Sequence, residues 1–223
     1  MLKKYHIIFN FVSALPFYLY LHDLGYSMLI VLISLILFIL FANAPDFDVS
    51  YKGTLFRRII RLFFMVPFYV VAKITNDSIT HRHITHSIKG VIIFSIYILF
   101  LWQIVHYLLY YINFIVNNYF LLSSINMIFS SFLVPVSIIM TYFLHVISDA
   151  TTVNGVPLFK GMRARGPIVT GKNDGYYVSL YVVIQVLIIY FLKSYDVRAL
   201  FVVSVIILIM FISVPILLAP KRK

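Results

Sequence analysis

Apolar residues fill the stretches 7–21, 27–42, 88–112, 125–144, 177–192 and 199–218, and short polar breaks separate them. About 20 consecutive apolar residues in a helix cross a hydrocarbon core of about 30 Å. The stretches 88–112, 125–144 and 199–218 meet that length, and 27–42 and 177–192 fall a few residues short of it. The first is short, since about 15 residues rise about 22 Å, and Pro16 lies inside it. Polar turns at 22–25, around Asn113, Asn117 and Asn118, and at 193–198 pair the stretches two by two. The pattern predicts an all-α integral membrane protein of about six transmembrane helices in three hairpins, with residues 1–223 forming a single membrane-embedded domain.

Residues 51–75 fit that pattern least well. Their apolar part, 62–72, contains Pro67, with Arg57, Arg58 and Arg61 before it and Lys73 after it. An apolar core this short, fronted by arginines that can meet lipid phosphates, predicts one interfacial or re-entrant helix. One crossing here would put the residues on either side of it on opposite faces.

Composition supports the membrane class. The chain is 62% hydrophobic and 11% charged, whereas soluble domains run nearer half apolar and a quarter charged. The net charge of +11 would suggest nucleic acid in a soluble protein. Here the charges sit between apolar stretches, so no nucleic acid is expected and the partner is membrane lipid, anionic by charge complementarity. With six crossings, all of the eighteen Lys and Arg except Lys193 and Arg198 fall on one face. The positive-inside rule makes that face cytoplasmic, with both termini on it, in a multi-pass protein of the cell membrane. The start, MLKKYHIIFNF, lacks a small-residue cleavage pattern and reads as retained structure. There is no cysteine, which excludes disulfides, thiolate nucleophiles and thiolate zinc sites.

Three polar islands carry the candidate chemistry: APDFD (44–48), THRHITHS (80–87) and HVISD (145–149). His145 and Asp149 are four apart and share a face if the helix continues through them. The plainer reading of that pair is a helix-end histidine hydrogen-bonded to an aspartate. His83 and His86 align in a helix, whereas His81 and His83 align in an extended segment. Neither geometry lets all three reach one ion, and a solvated histidine cluster needs no metal. Asp46 and Asp48 follow Pro45 and point the same way in an extended turn, or simply mark a polar helix stop. Thr85 and Ser87 are candidates to hydrogen-bond ligating carboxylates. Asp174, the only acid within 150–176, reads as a solvated charge, with a ligand or a general base as the alternatives.

Together the islands say more than each alone. Ionisable groups at the end of a membrane span are costly unless paired or functional. The hairpins bring His6, Asp46, Asp48, His81, His86, His145 and Asp149 to one face. Imidazole with carboxylate suits zinc, with manganese or iron as alternatives. Seven candidates exceed one four-coordinate site and would serve two ions, an arrangement suited to phosphoryl chemistry.

These elements resemble the YdjM-like family of inner-membrane-associated metal-dependent hydrolases. The likeness rests on YHIIF around His6, PDFD at 45–48, HRHITHS at 81–87, HVISD at 145–149 and GVPLF at 155–159, in that order. Two positions depart from the family pattern: Val49 stands where it often has histidine, and His83 where it has glycine. The resemblance implies His6, Asp46, Asp48, His81, His86, His145 and Asp149 as the metal-binding set, with His83 a bystander.

The expected function is metal-dependent hydrolysis at the cytoplasmic membrane surface, on a phospholipid or other phosphoester, with a peptide or amide bond second. Asp48 or Asp149 would accept the proton of the attacking water. Arg82, Arg163 and Arg165 would hold the phosphate through their guanidinium forks. Glycines in 150–176 would let that loop close over a substrate. The main alternative is a non-catalytic, metal-stabilised membrane scaffold or regulator. A transporter fits less well, because the acids and histidines lie at span ends and only Gln103, His106 and Gln185 fall within spans.

Overall fold

The computed structural model describes residues 1–48, 55–76, 84–115, 128, 130–159, 162–194 and 196–218. The elements are α1 (Lys3–Asp23), α2 (Met28–Leu40), a 3-10 turn (Ala44–Asp48), α3 (Leu55–Thr75), α4 (Ile88–Ile115), α5 (Leu133–Ala150), β1 (Val156–Phe159), β2 (Met162–Ala164), α6 (Asp174–Leu192) and α7 (Val197–Leu218). Among the described residues, five segments are long and apolar enough to cross a bilayer: Met28–Asp46, Ile88–Ile112, Leu133–Ala150, Asp174–Leu192 and Val197–Leu217. The chain is a multi-pass membrane protein.

The first expected span is not among the five. α1 is longer than the apolar run 7–21, with 21 residues that rise about 31 Å, yet it carries His6 and Asn10 on its buried side. It packs against α2, α5, α6 and α7. A helix surrounded by protein can carry polar groups where they find partners, and this lowers its hydropathy without moving it out of the bundle.

Polar contacts set the helix directions. His6 and Asn10, one turn apart on α1, meet Ser148 and Thr141 on α5, so these two helices run antiparallel. Leu2 and Ser13 meet Asp174 and Tyr181 in the same order, so α1 and α6 run parallel. Gln185 donates to the Ser204 carbonyl at 3.2 Å, and the Tyr177 hydroxyl donates to the Phe211 carbonyl, so α7 returns alongside α6. The starts of α1, α4 and α6 and the ends of α2, α5 and α7 therefore gather at one pole.

Two helix prolines are compensated in the same way. Pro67 in α3 lacks the N–H that would bond the carbonyl of Phe63, four residues back. The Tyr97 hydroxyl of α4 donates to that carbonyl instead, at 2.9 Å. Pro215 in α7 likewise leaves the Phe211 carbonyl, which the Tyr177 hydroxyl takes. In an apolar surround an unpartnered carbonyl is expensive, so each tyrosine makes its proline tolerable.

α3 buries Met65, Phe68 and Ala72 and packs on α4 and on the 3-10 turn. It begins well before the apolar part 62–72 and, like α1, is not one of the five long apolar segments. The expected helix 125–144 is observed as Leu133–Ala150, so HVISD lies inside the last turns of a helix rather than after it. The stretch 150–176 is not structureless. β1 and β2 form an antiparallel hairpin with Val156 opposite Ala164. At Gly155, with φ +60°, an added Cβ would lie 1.9 Å from the Ala164 carbonyl oxygen, so neither the backbone angle nor the space admits a side chain.

Candidate metal centre

The cluster is built from four places in the chain. On α5, His145, Ser148 and Asp149 stand at i, i+3 and i+4, the spacing that puts three side chains on one helix face. α1 brings His6, the 3-10 turn after α2 brings Asp46, and the segment leading into α4 brings His86. Relative exposure is 1% or less for His6, His86, His145 and Asp149, and 14% for the Asp46 side chain.

Local structure explains how His86 is held. Ser87 is the N-cap of α4: its Oγ accepts from the Gly90 N–H at 3.0 Å and donates to the Ile84 carbonyl at 2.7 Å. The Tyr142 hydroxyl, one turn before His145, donates to the Thr85 carbonyl at 2.5 Å. Tyr142 itself is stacked on Phe94 at 4.2 Å. Ser87 thus serves the helix start rather than a ligating carboxylate. Gly90 allows the chain to fold this tightly, because a Cβ there would sit 2.2 Å from the Ile84 carbonyl oxygen.

The hydrogen bonds dictate which ring nitrogens carry lone pairs. His145 Nδ1 lies 2.7 Å from the Ala42 carbonyl oxygen. A carbonyl only accepts, so Nδ1–H donates, and in the neutral ring Nε2 is the bare nitrogen. Ser148 donates its proton to the His145 carbonyl at 2.8 Å. Its oxygen therefore accepts from His6 Nδ1 at 2.7 Å, which leaves the His6 Nε2 lone pair free to point inward. His86 Nδ1 donates to Asp149 Oδ2 at 2.9 Å, so in the neutral ring His86 Nε2 is also an acceptor.

Each of these nitrogens faces a carboxylate. His6 Nε2 is 3.3 Å from Asp149 Oδ1, His86 Nε2 is 3.6 Å from Asp46 Oδ1, and His145 Nε2 is 3.8 Å from both Asp46 Oδ1 and Asp149 Oδ2. The His6 and His145 rings stack at 3.8 Å. His145 Nε2 is buried with no hydrogen-bond partner among the described residues. Acceptors facing acceptors in a dry site repel unless a cation lies between them. Donors at about 2.0–2.1 Å around a four-coordinate ion stand about 3.3 Å apart. The donor set and its spacing therefore fit a divalent ion.

Among the described residues, two groups hold their donor atoms within 4.8 Å of one another: His6, His145 and Asp149, and Asp46, His86 and His145. His145 has one lone pair at Nε2 and can serve one ion. Asp149 turns Oδ1 toward His6 and Oδ2 toward His86 and His145, and His145 is common to both groups. Asp149 Oδ1 also lies 3.2 Å from the Met1 amino nitrogen.

The remaining expected site residues fall elsewhere. His81, Arg82 and His83 lie outside the described residues, as does Val49. Asp48 closes the 3-10 turn, but its side chain is outside the described residues too. Arg163 on β2 and Arg165 just after it are exposed. Asp174 is not a solvated charge: it is 1% exposed and accepts the N–H groups of Leu2, Gly171 and Gly175 at 2.9, 3.1 and 3.1 Å. It ties the start of α1 to the start of α6. Sequence reasoning missed Ser148, Asn10 and the Ala42 carbonyl. Ser148 was findable, since it sits at helix spacing from His145; a backbone carbonyl leaves no mark in a sequence.

A family model described as YdjM inner membrane protein matches residues 1–219, and the chain belongs to that family. Comparison with curated proteins and with solved structures returned no match.

Proposed function

We propose that this member of the YdjM inner membrane protein family is a metal-dependent hydrolase acting at the cytoplasmic membrane surface, on a phospholipid or other phosphoester. The observation that carries the reading is the His145 Nε2 lone pair, oriented by the Ala42 carbonyl and aimed at two carboxylates 3.8 Å away. Asp46, His86, His145 and Asp149 would hold the ion, with His6 on the other side of Asp149 and Asp48 and His81 as further ligands. Zinc suits this nitrogen and oxygen set, with manganese or iron as alternatives. When bound, such an ion polarises a phosphoryl oxygen and makes water more acidic.

The chain's own residues supply the rest. Burial of three histidines excludes bulk water, and the Ala42 and Ser148 hydrogen bonds hold two of the rings in one tautomer. Asp149 is engaged at both oxygens, which suits a ligand. Asp46 is the more exposed carboxylate and so is better placed than Asp149 to take a proton from attacking water, with Asp48 the other candidate. Arg82, Arg163 and Arg165 would bind the phosphate. In this reading residues 1–223 form one domain, α1 completes six crossings, α3 lies at the interface, and the cluster pole with both termini faces the cytoplasm, where lysine and arginine concentrate.

A non-catalytic, metal-stabilised scaffold draws support from one feature: exposure of 1% or less at His6, His86 and His145 is typical of closed structural sites. One experiment separates the two readings. Metal analysis of the detergent-purified protein should show one or two equivalents, reduced in His86→Ala and Asp149→Ala. Release of phosphate or fatty acid from mixed phospholipids should fall in the same variants. Metal bound without any such release would favour the scaffold, and metal-replete protein that holds no ion would defeat both.

A further inference from the structure

A cavity of about 420 Å³ opens beside the cluster, between the first turn of α1 and the turn leading into α6. Its walls include Lys4, Tyr5, Lys172, Asp174, Tyr176 and Ser179. Two lysines and one carboxylate thus line it, and that carboxylate already accepts three backbone N–H groups. Lys4 Nζ stands 4.9 Å from the centroid of the Tyr5 ring. The Tyr5 hydroxyl lies against Gly175, where a Cβ would be 2.6 Å away, so glycine lets the tyrosine close this part of the wall. The polar content and volume suit a charged group the size of a phosphate with its ester substituents.

What lies below the cavity distinguishes a lipid from a soluble ligand. Tyr176, Leu180, Val183 and Leu187 are spaced at 4, 3 and 4 residues on α6 and are 82, 57, 55 and 49% exposed. Helical spacing places them in one stripe that descends from the cavity along a helix long and apolar enough to cross a bilayer. We propose that the cavity binds the phosphate of an anionic membrane lipid through Lys4 and Lys172, with an acyl chain lying along this stripe. Tyr5 is adjacent to His6, and Leu2 joins the cavity's Asp174 to the helix turn that ends at His6. The site therefore borders the cluster. Binding stands on the cavity alone; its identification as the place where the substrate headgroup docks rests on the hydrolase reading.

The test uses the full-length detergent-purified protein and dioctanoyl phosphatidic acid, followed by native mass spectrometry. Wild type should bind the lipid, and Lys4→Ala and Lys172→Ala should each weaken binding roughly tenfold, with the arginine replacements retaining most of it. Dioctanoylglycerol and inorganic phosphate, each carrying half of the recognised chemistry, should bind at least about tenfold more weakly. Unchanged lipid affinity in the double alanine variant would overturn the proposal. Displacement of the lipid by inorganic phosphate at equal concentration would overturn the lipid assignment. Metal content measured on the same samples keeps the two readings apart. Lipid binding indifferent to both lysines, with metal intact, removes this site alone. Wild type without metal but with lysine-dependent lipid binding removes the hydrolase reading alone.

Discussion

His145 Nε2 and Asp46 Oδ1 face each other across 3.8 Å, too far for a hydrogen bond and too close, in a dry site, for two acceptors with nothing between them. The Ala42 carbonyl enforces this by holding the proton on the other ring nitrogen. The relationship links the end of α2 to the end of α5, so an ion bound there also braces the bundle. A chelator should therefore lower the unfolding temperature of the wild type but leave His145→Ala unchanged. At a metal concentration of about 100 times Kd the stabilisation lost is about 2.7 kcal/mol. A thermal melt in detergent, with and without chelator, reads it directly.

Ser148 accepts from His6 and donates to the His145 carbonyl, so it orients one ring without facing the ion. Ser148→Ala should lower metal affinity about 10–100-fold while the helix stays intact. Competition against a zinc-sensitive dye measures the change, and an affinity equal to wild type would show that His6 needs no such support.

Gly90 lies where the backbone of Ile84 and Thr85 folds back onto α4. Gly90→Ala drives a Cβ to 2.2 Å from a carbonyl oxygen, which a rigid helix start cannot relieve cheaply. The expected loss is about 1–3 kcal/mol, together with weaker metal binding, because the displaced segment carries His86. Gly25→Ala makes the control for metal binding: nothing lies within 4 Å of its added Cβ, and its φ of +85° by itself costs about 1–2 kcal/mol of backbone strain.

Tyr97 and Pro67 form a compensating pair. Tyr97→Phe should destabilise the protein by about 1–3 kcal/mol, because the Phe63 carbonyl is left bare. In a Pro67→Ala background the restored N–H can take that carbonyl, so the same substitution should cost far less. A double-mutant cycle of unfolding temperatures shows the coupling as non-additivity.

The amino-acid sequence by itself determined the membrane class, the positions of most helices and the family. Each of these rests on local information: runs of apolar residues long enough for hydrocarbon, and motifs with their own spacing. The i, i+4 placement of His145 and Asp149 was legible for the same reason, since a helix carries its neighbours with it. The span 7–21 reads as short, at about 15 apolar residues; the helix Lys3–Asp23 is longer because packing on four helices makes the polar groups at its start, His6 among them, interior. Asp174 read as a solvated charge, because three N–H donors from residues 2, 171 and 175 can converge on it only after α1 and α6 lie side by side. The tertiary structure alone decided which nitrogen of each histidine is bare. That choice depends on the Ala42 carbonyl, on Ser148 and on Asp149, and these partners lie 103, 142 and 63 residues from the histidines they set. Sequence periodicity reports what shares a helix face. Which faces meet is settled by helix packing, and hydrogen-bond direction follows only from that.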